Sequence, residues 1–324
     1  MKYALLKYRD LETNIGDYIQ SLAAKRFLPQ VDALISREAL DETTENAKII
    51  LNGWFMHHPE HWPPSETLLP KFVSFHINDF AKKPLTSPEA IAYYKKHQPI
   101  GCRDKFTLQK LEENGVKAYF SGCLTLTLEK EKYQNTTTPN AIVLCDILSH
   151  KNDVSDTNKK SLCKTISNPH KPIINATKSF LKEYKEKKEA KKIIEKLIPK
   201  SILEQSITVS NQDFNATTHE EKFKKAEQLL SLYASAKLVV TSRIHVALPC
   251  LAFGTPVIFV RPDRDTSRFE GITDFFNTFT IDQILNTEKT ELQQQFTNSS
   301  KIVKTEHLKY REQLIKDVSQ FINS

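Results

Sequence analysis

Short apolar runs alternate with amphipathic stretches along the first part of the chain. Two helical patterns, at 15–28 and 103–115, lie among these runs, and the second ends at an Asn-Gly pair. Alternation of apolar strands with helices is typical of an α/β architecture with mainly parallel sheets. The pattern therefore predicts a first doubly wound unit. Its strands are predicted at 3–8, 48–53, 72–77, 99–102 and 116–120.

A second unit follows a polar stretch at 129–140, which predicts a linker because it interrupts the apolar periodicity. The unit contains a helical pattern at 218–235 and another helix that begins at Arg243. An amphipathic pattern at 303–322 predicts a final helix that could pack back on the first unit. The strands of the second unit are predicted at 141–148, 206–212, 237–242 and 256–260.

These two units predict two Rossmann-like, doubly wound domains. We place the N-terminal domain at 1–135 and the C-terminal domain at 136–324. The chain of 324 residues, 39% of them hydrophobic, is long enough to bury a core in each domain. Its 46 basic and 39 acidic residues give a net charge of +7, which favours anionic small molecules over nucleic acid, since no basic and aromatic stacking motif accompanies it.

Cysteine usage and hydropathy indicate a cytoplasmic protein. The five cysteines are scattered without any Cys-x-x-Cys spacing, which argues against a disulfide framework and against a zinc site. The apolar run near the N-terminus is too short for a signal peptide, and no stretch approaches the roughly 20 apolar residues that span a bilayer.

A Lys-rich segment at 178–200 carries nine lysines and four glutamates, with apolar residues spaced for one helix face. One interpretation is a solvated surface helix whose apolar stripe packs on the domain. The other is a basic patch that contacts anionic lipid or a lipid-linked substrate, which would place the protein at the membrane periphery. The first interpretation is favoured, because charge runs of this kind usually lie on surfaces.

Glycine usage limits how the chain could bind phosphate. Only seven glycines occur, and neither a Gly-x-Gly-x-x-Gly pattern nor a Walker A pattern is present. Phosphate binding would therefore depend on side chains and helix N-termini.

In "VVTSRIH", Thr241 or Ser242 could cap a helix whose first turn contains Arg243 and His245. An anion there would meet free N–H groups, a hydroxyl and a guanidinium, although Arg243 could instead pair with an acidic side chain.

Two further basic clusters follow predicted strands. Arg103 and Asp104 lie in "IGCRDKF", where a helix begins, and this pair has an ordinary structural explanation as well as a functional one. Arg261, Arg264 and Arg268 follow the strand at 256–260. They should therefore lie at the same carboxyl edge of the sheet as His245. At least one of them should face the cleft that we expect at this edge.

The histidines offer weaker signals. In "HHPEHW", His57 and His61 are four residues apart, but Pro59 and the prolines that follow disfavour the continuous helix that would bring both onto one metal ion. A loop that lines an acceptor pocket is the better functional interpretation, and His76 is similarly placed. The candidate acceptor contacts are Asn14, Asp17, Asn52 and His76, and no metal site is predicted.

Three segments resemble the polysaccharide pyruvyl transferase family: "NIGDYIQSLAAKRFL", "GCRDKFTLQKLEENGV…FSGCLTLTL" and "TSRIHVALPCLAFGTPVIFV". The resemblance implies a fold similar to GT-B glycosyltransferases. It also implies that His245 is catalytic and that Arg103 and Arg243 bind the donor. Arg268 is a looser match, and Ser242 joins the donor contacts. Cys123 stands where many members have Asp, so it receives no role.

The resemblance further implies transfer of the enolpyruvyl unit of phosphoenolpyruvate onto a sugar as a ketal. Arginines could hold the carboxylate and phosphate of this donor, and a histidine of near-neutral pKa could protonate its methylene carbon. No cofactor or metal is needed. Two alternatives stay open: a GT-B-like glycosyltransferase that uses a nucleotide-sugar, which the low glycine count disfavours, and a non-catalytic sugar- or phosphate-binding relative.

Overall fold

The computed structural model describes residues 1–135, 140–148, 188–263 and 266–324. Two sheets are present in this part of the chain, and every strand pair within them is parallel. The α/β class is therefore confirmed. The first sheet has the order β2-β1-β3-β4-β5-β6. Its strands are β1 Lys2–Lys7, β2 Ala33–Ser36, β3 Ala47–Phe55, β4 Leu68–Ile77, β5 Ile100–Cys102 and β6 Ala118–Phe120.

The second sheet repeats the connectivity of the first. Its order is β11-β10-β9-β7-β8, so in each sheet the second strand lies on one side of the first strand and the later strands lie on the other. The chain thus changes direction between β1 and β3 and again between β7 and β9, and in open α/β sheets ligands bind outside the carboxyl ends of strands at such points. The strands are β7 Ile142–Cys145, β8 Ser206–Val209, β9 Leu238–Thr241, β10 Val257–Arg261 and β11 Asn277–Thr280.

Helices connect the strands, as parallel pairing requires. Residues 188–197 are also helical, and single 3₁₀ turns occur at Pro59–His61, Leu124–Thr127, Thr266–Phe269 and Thr273–Phe275. The other helices are α1 Ile15–Lys25, α2 Lys82–Leu85, α3 Pro88–His97, α4 Lys105–Glu112, α5 Lys130–Tyr133, α6 Lys200–Glu204, α7 His219–Ser235, α8 Ile244–Phe253, α9 Ile281–Asn286, α10 Lys289–Ser299 and α11 Leu308–Asn323.

The second sheet is apolar on both faces because its strands bury successive residues in opposite directions. On β10, Val257 and Phe259 join one hydrophobic cluster, whereas Ile258 and Val260 join another. The first of these clusters also contains the core of the first sheet and most of α8. Apolar packing is therefore continuous from the first sheet to the helix that carries His245.

Helices α1 and α7 join the two sheets. Tyr18 on α1 packs edge-on against Phe223 on α7, with ring centroids 5.1 Å apart, and its hydroxyl lies 2.9 Å from His219 Nδ1. The backbone N–H of Ile15 donates to the carbonyl of Asn211 at 2.9 Å. These contacts hold the N-terminus of α1 beside the second sheet.

The last helix lies against the first sheet rather than the second. Lys48 on β3 donates from Nζ to the carbonyls of Phe321 and Ile322 at 2.9 and 3.2 Å. Tyr119 on β6 donates to Asp317 Oδ2 at 2.6 Å. The chain therefore crosses back to the first sheet after completing the second.

Several element boundaries differ from those expected from the sequence. The helix predicted at 103–115 begins at Lys105, because Asp104 is its N-cap and accepts from Thr107 N. The stretch predicted as a linker contains α5, and the final helix begins at Leu308. Strands β2 and β11 were not predicted. In the Lys-rich segment, residues 178–187 lie outside the described residues, and no helix in the described part is long and apolar enough to cross a membrane.

Candidate functional site

Five basic or imidazole side chains follow the carboxyl ends of parallel strands. His76 lies near the end of β4, Arg103 directly follows β5, and Arg243 and His245 follow β9. Arg268 lies in the 3₁₀ turn after β10. The charges of Arg103, Arg243, Arg268 and His76 all act on the pKa of His245, so the five side chains converge. Two come from the first sheet and three from the second.

Arg103 is the most deeply buried of these groups, with 0% of its surface exposed. Its backbone N–H donates to the carbonyl of Phe75 at 2.9 Å, which fixes the start of the side chain at the end of β4. Among the described residues, none of its three guanidinium nitrogens has a hydrogen-bond partner. Asp104 Oδ2 lies 3.7 Å from Nε, beyond hydrogen-bond distance. A buried cation in this state requires an anion, since desolvation without hydrogen bonds is costly.

Arg243 does not occupy the first turn of α8, as the sequence had suggested, because it is itself the N-cap residue and makes no side-chain cap. Thr241 Oγ1 accepts from the backbone N–H of Arg243 at 3.0 Å. The Nε of Arg243 lies 3.3 Å from Asp146 Oδ2, so the pairing with an acidic side chain that the sequence left open does occur. Its Nη2 has no partner within the described residues, which leaves one end of the guanidinium for a second anion.

Ser242 ties the second sheet together. Its hydroxyl donates to the carbonyl of Val260 at 2.7 Å and accepts from the backbone N–H of Leu148 at 3.0 Å. The side chain is buried, and its single proton is already used. Ser242 could therefore donate to a bound anion only by giving up the bond to β10.

His245 is 6% exposed and lies against the start of α1. A Cβ atom added to Gly16 would lie 3.1 Å from the Cβ of His245, so a larger residue there would crowd the histidine. Burial, followed by the charges of Arg103 and Arg268, lowers the pKa of His245 well below its usual value. The expectation of a near-neutral pKa is therefore wrong for the protein without donor. The Nε2 atom is buried and has no partner in the described part of the chain.

His76 pairs with Asp104 inside the protein. The Nδ1 atom lies 2.6 Å from Asp104 Oδ2, and the two side chains are 3% and 0% exposed. Asp104 Oδ1 accepts from Thr107 N at 2.9 Å, which holds the carboxylate in place. Burial lowers the pKa of His76 to about 4, with Asp104 opposing the shift and the charges of Arg103 and Arg268 adding to it.

Arg268 belongs to a loop that lies on the start of α4. The backbone N–H of Lys105 donates to the carbonyl of Glu270 at 3.1 Å, so this loop of the second sheet contacts the helix that follows Arg103. Arg261, by contrast, lines a polar groove beside β11 and α10. Arg264 lies outside the described residues.

The other candidate acceptor residues are engaged in the framework of the first sheet. Asn14 caps α1 by accepting from Gly16 N at 3.1 Å. Asp17 is buried and accepts from Gln20 at 3.0 Å and from Arg37 at 3.0 Å. Asn52 donates to the carbonyl of Gln20 at 3.1 Å. These contacts explain the three polar residues structurally, and among the four candidates His76 is the one whose charge acts on the pKa of His245.

The HHPEHW stretch forms a 3₁₀ turn at Pro59–His61, so His57 and His61 do not share a helix face. Within the described residues, the grouping that could offer three metal-ligand atoms is Asp41, Glu42 and His61. Both carboxylates are exposed, and such surface groups are common without an ion. This cluster lies on a loop and includes none of the five converging side chains.

Sequence reasoning assigned no role to Asp146. Asp146 lies within the strand predicted at 141–148, but it follows β7 directly and pairs with Arg243; an acidic residue inside an apolar run was the signal that could have revealed it. Asp104 has the structural role that the sequence allowed, since it caps α4 and pairs with His76.

The comparison with protein families agrees with the resemblance in the sequence. A family model described as polysaccharide pyruvyl transferase matches residues 14–264. No curated protein matches the chain. Among solved structures, an uncharacterised protein from Klebsiella pneumoniae is similar with a TM-score of 0.46 and 10% identity, over 86% of this chain and 92% of that one. The UDP-GlcNAc 2-epimerase from Methanocaldococcus jannaschii is similar with a TM-score of 0.41 and 10% identity, over 94% of this chain and 92% of that one.

Proposed function

The chain belongs to the polysaccharide pyruvyl transferase family, and we propose that it moves the pyruvyl group of phosphoenolpyruvate onto a sugar of a polysaccharide or glycan precursor. The product is a ketal, and phosphate is released. The observation that carries this proposal is Arg103, a fully buried guanidinium without a hydrogen-bond partner in the described residues. A small, highly charged anion such as phosphoenolpyruvate supplies what this side chain lacks.

The donor is held between the two sheets. Phosphoenolpyruvate carries a carboxylate and a phosphate on adjacent atoms, so it can meet guanidinium groups from more than one direction. We assign Arg103 to one anionic group and Arg243 and Arg268 to the other, with Ser242 fixing the loop between β9 and α8. Charges that already lower the pKa of His245 therefore become partners of the bound donor.

We further propose that the two sheets are the centres of two Rossmann-like domains in a GT-B-like arrangement. The repeated strand order supports this proposal, since each sheet reverses direction beside its first strand. The domains would span 1–135 and 136–324, with α11 returning to the first domain. The donor then binds where the carboxyl edges of the two sheets face each other.

His245 is proposed to protonate the methylene carbon of the donor. The side chain is neutral in the free protein at neutral pH because its pKa is lowered by burial and then by the neighbouring cations. A bound donor brings negative charge next to those cations, which raises the pKa of His245. Donor binding therefore supplies the proton that the reaction consumes. His245 is therefore protonated only when the donor that receives the proton is bound.

The scheme requires no cofactor and no metal, because the arginines supply the positive charge that stabilises the leaving phosphate. The partners are phosphoenolpyruvate and a sugar acceptor, with no nucleic acid. We propose a cytoplasmic protein, with the Lys-rich segment 178–200 as its route to a membrane-bound acceptor.

The test is incubation with phosphoenolpyruvate and methyl glycosides of glucose, galactose, mannose and the N-acetylhexosamines. Phosphate release is followed in solution, and ketal formation is followed by the new methyl signal in the proton NMR spectrum. We expect release with at least one glycoside and none with Arg103→Met. His58→Gln, at an exposed position, is the matched control and should behave as the parent chain. A chain that binds no phosphoenolpyruvate and releases no phosphate contradicts the proposal.

A further inference from the structure

His76 and Asp104 form a buried pair for which binding of the donor gives no reason. Asp104 already satisfies its helix by capping α4, so the cap alone gives no reason for its contact with His76. The pair is nevertheless held at 2.6 Å beside Arg103, in a part of the protein without solvent. Arg268 from the second sheet also acts on His76. His76 therefore lies at the convergence of the two sheets, where a donor and an acceptor would meet.

The contact with Asp104 decides which nitrogen of His76 carries the proton. A carboxylate only accepts, so the bond from Nδ1 to Asp104 Oδ2 places the proton on Nδ1. Thr107 Oγ1 lies 3.3 Å from the same nitrogen and so adds a second polar contact there. The Nε2 atom, at the other end of the ring, has no hydrogen bond within the described residues and keeps its lone pair. His76 is thus prepared to accept a proton.

We propose that His76 is a second catalytic residue, whose Nε2 removes the proton of the attacking acceptor hydroxyl and later gives it to the leaving phosphate. Asp104 is its positioning residue. This inference rests on the proposed function. While His245 acts as the acid, it cannot also remove the proton of the acceptor hydroxyl, and we assign that step to His76 in the first sheet.

The protons balance over the full reaction. Protonated His245 donates to the methylene carbon, whose double-bond electrons form the new C–H bond and leave positive charge on the central carbon. The first acceptor hydroxyl attacks that carbon and loses its proton to His76. The bond between the central carbon and the phosphate oxygen then breaks, the electron pair leaves with phosphate, and His76 returns its proton to phosphate. The second hydroxyl closes the ketal and reprotonates His245.

The surroundings of His76 suit a group that holds a proton only briefly. The positive charges of Arg103 and Arg268 disfavour the imidazolium form, whereas Asp104 stabilises it, so the proton can be taken and released. Binding by Asp104 also keeps the ring oriented through both steps. A purely structural histidine would need neither the fixed tautomer nor an unbonded Nε2.

A tautomer measurement tests this geometry without any acceptor. In protein labelled with ¹⁵N-histidine, the signals of His76 are identified by their loss in His76→Gln. We expect the Nδ1–H tautomer at pH 7. Asp104→Asn should preserve the cap of α4, since Asn also caps helices, but its amide would donate to Nδ1 and move the proton to Nε2. An Nε2–H tautomer or a charged ring in the parent chain at pH 7 overturns the proposal.

Kinetics test the role itself. For the glycoside that gives the fastest phosphate release, we expect His76→Gln to lower kcat by about 10²- to 10⁴-fold with little change in the KM for phosphoenolpyruvate. Imidazole added to His76→Gly should restore turnover in proportion to its concentration, which a merely structural role would not produce. His58→Gln, at an exposed position, is the control. Unchanged kcat in His76→Gln overturns this inference alone, whereas an inactive parent chain overturns the proposed function and leaves the tautomer measurement to decide on the pair.

Discussion

Arg37 and Arg103 are both buried arginines of the first sheet, but their surroundings are opposite. Arg37 is 1% exposed and binds two carboxylates, Asp17 Oδ2 at 3.0 Å from Nη1 and Glu38 Oε1 at 2.7 Å from Nε. Its guanidinium also lies over the rings of Tyr8 and Trp54, 4.7 and 5.0 Å from their centroids. Arg103 has no comparable partner, because its contact with Asp104 measures 3.7 Å.

The difference separates a structural cation from a binding cation. A buried charge with its partners inside the chain stabilises the fold only through the whole network, and removal of one member exposes the rest to desolvation. A buried charge without such partners reduces the stability of the free protein and is compensated when an anion binds. Burial alone therefore does not identify a site, whereas burial together with missing partners does.

The first prediction separates these two roles by stability. Arg37→Met should lower the free energy of unfolding by about 3 to 5 kcal/mol, because the buried carboxylates of Asp17 and Glu38 would lose the cation that they share. Arg103→Met should leave the free energy of unfolding unchanged or increase it, because a buried guanidinium without hydrogen bonds is removed and Asp104 keeps its contact with His76. Urea unfolding of both variants at neutral pH measures the contrast. Equal destabilisation of the two variants would remove the distinction between Arg37 and Arg103.

The second prediction concerns catalysis beside Arg103. His245→Gln should lower kcat for phosphate release by about 10²- to 10⁴-fold, since glutamine cannot donate the proton to the methylene carbon. The affinity for phosphoenolpyruvate should change by only a few-fold, because the arginines remain. Steady-state kinetics and a binding titration give the two numbers. Normal turnover in His245→Gln would exclude the acid role, and His58→Gln serves as the control on the surface.

The third prediction grades the donor arginines. Arg243 already has one partner in Asp146, so it has less binding capacity left than Arg103. Arg243→Lys should weaken phosphoenolpyruvate binding by about tenfold, because lysine loses the fork geometry, and Arg103→Lys should weaken it more. Calorimetric titrations of the two variants under the same salt concentration establish the order. A larger loss from Arg243→Lys would reverse the assignment of the main anion contact.

The fourth prediction compares His57, which lies near Arg37, with His76, which lies near Arg103. Burial, followed by the charges of Arg37 and Arg9, lowers the pKa of His57 to about 4, and burial lowers that of His76 to about 4 as well. At a pH between about 4, the pKa of each histidine in the folded protein, and about 6.5, its pKa in the unfolded chain, the unfolded chain binds a proton that the folded chain does not. Stability should therefore fall as the pH drops from about 6.5 to about 4, by about 1.4 kcal/mol per pH unit for each group.

Replacement of each histidine by glutamine separates the two contributions. Both His57→Gln and His76→Gln should flatten the fall of stability with pH, measured by urea unfolding between pH 7 and pH 4. Saturating phosphoenolpyruvate should reduce the effect of His76→Gln but not that of His57→Gln, because only His76 lies beside the proposed donor arginines. A slope that neither substitution changes would contradict the neutral state of both rings in the folded protein.

The strand pattern of the fold was predictable from the sequence, and the local strand ends were less so. Most strands are continuous apolar runs buried on both faces, so their periodicity is visible without a structure. Strands β2 and β11, each of four residues, were missed. The starts of α4 and α8 shifted because caps depend on backbone geometry that residue types alone do not determine.

The candidate site was predictable in its residues but not in its electrostatics. Arg103, Arg243 and His245 follow strand ends, which a linear pattern reveals. The low pKa of His245 arises from burial and from cations of both sheets, and the tertiary structure alone brings these together. The pairings of Arg243 with Asp146 and of His76 with Asp104 also join distant elements. The pairing of Asp17, a candidate acceptor contact, with Arg37 also joins elements that are distant in the sequence.

A calorimetric titration of phosphoenolpyruvate into the parent chain and into Arg103→Met tests the central claim most directly. The claim is that the buried, unpartnered guanidinium of Arg103 is the anion site of the donor. We expect saturable binding to the parent chain and a loss of affinity of at least about 100-fold in Arg103→Met, with the folded state intact by urea unfolding. Equal affinity in the two proteins would contradict the claim.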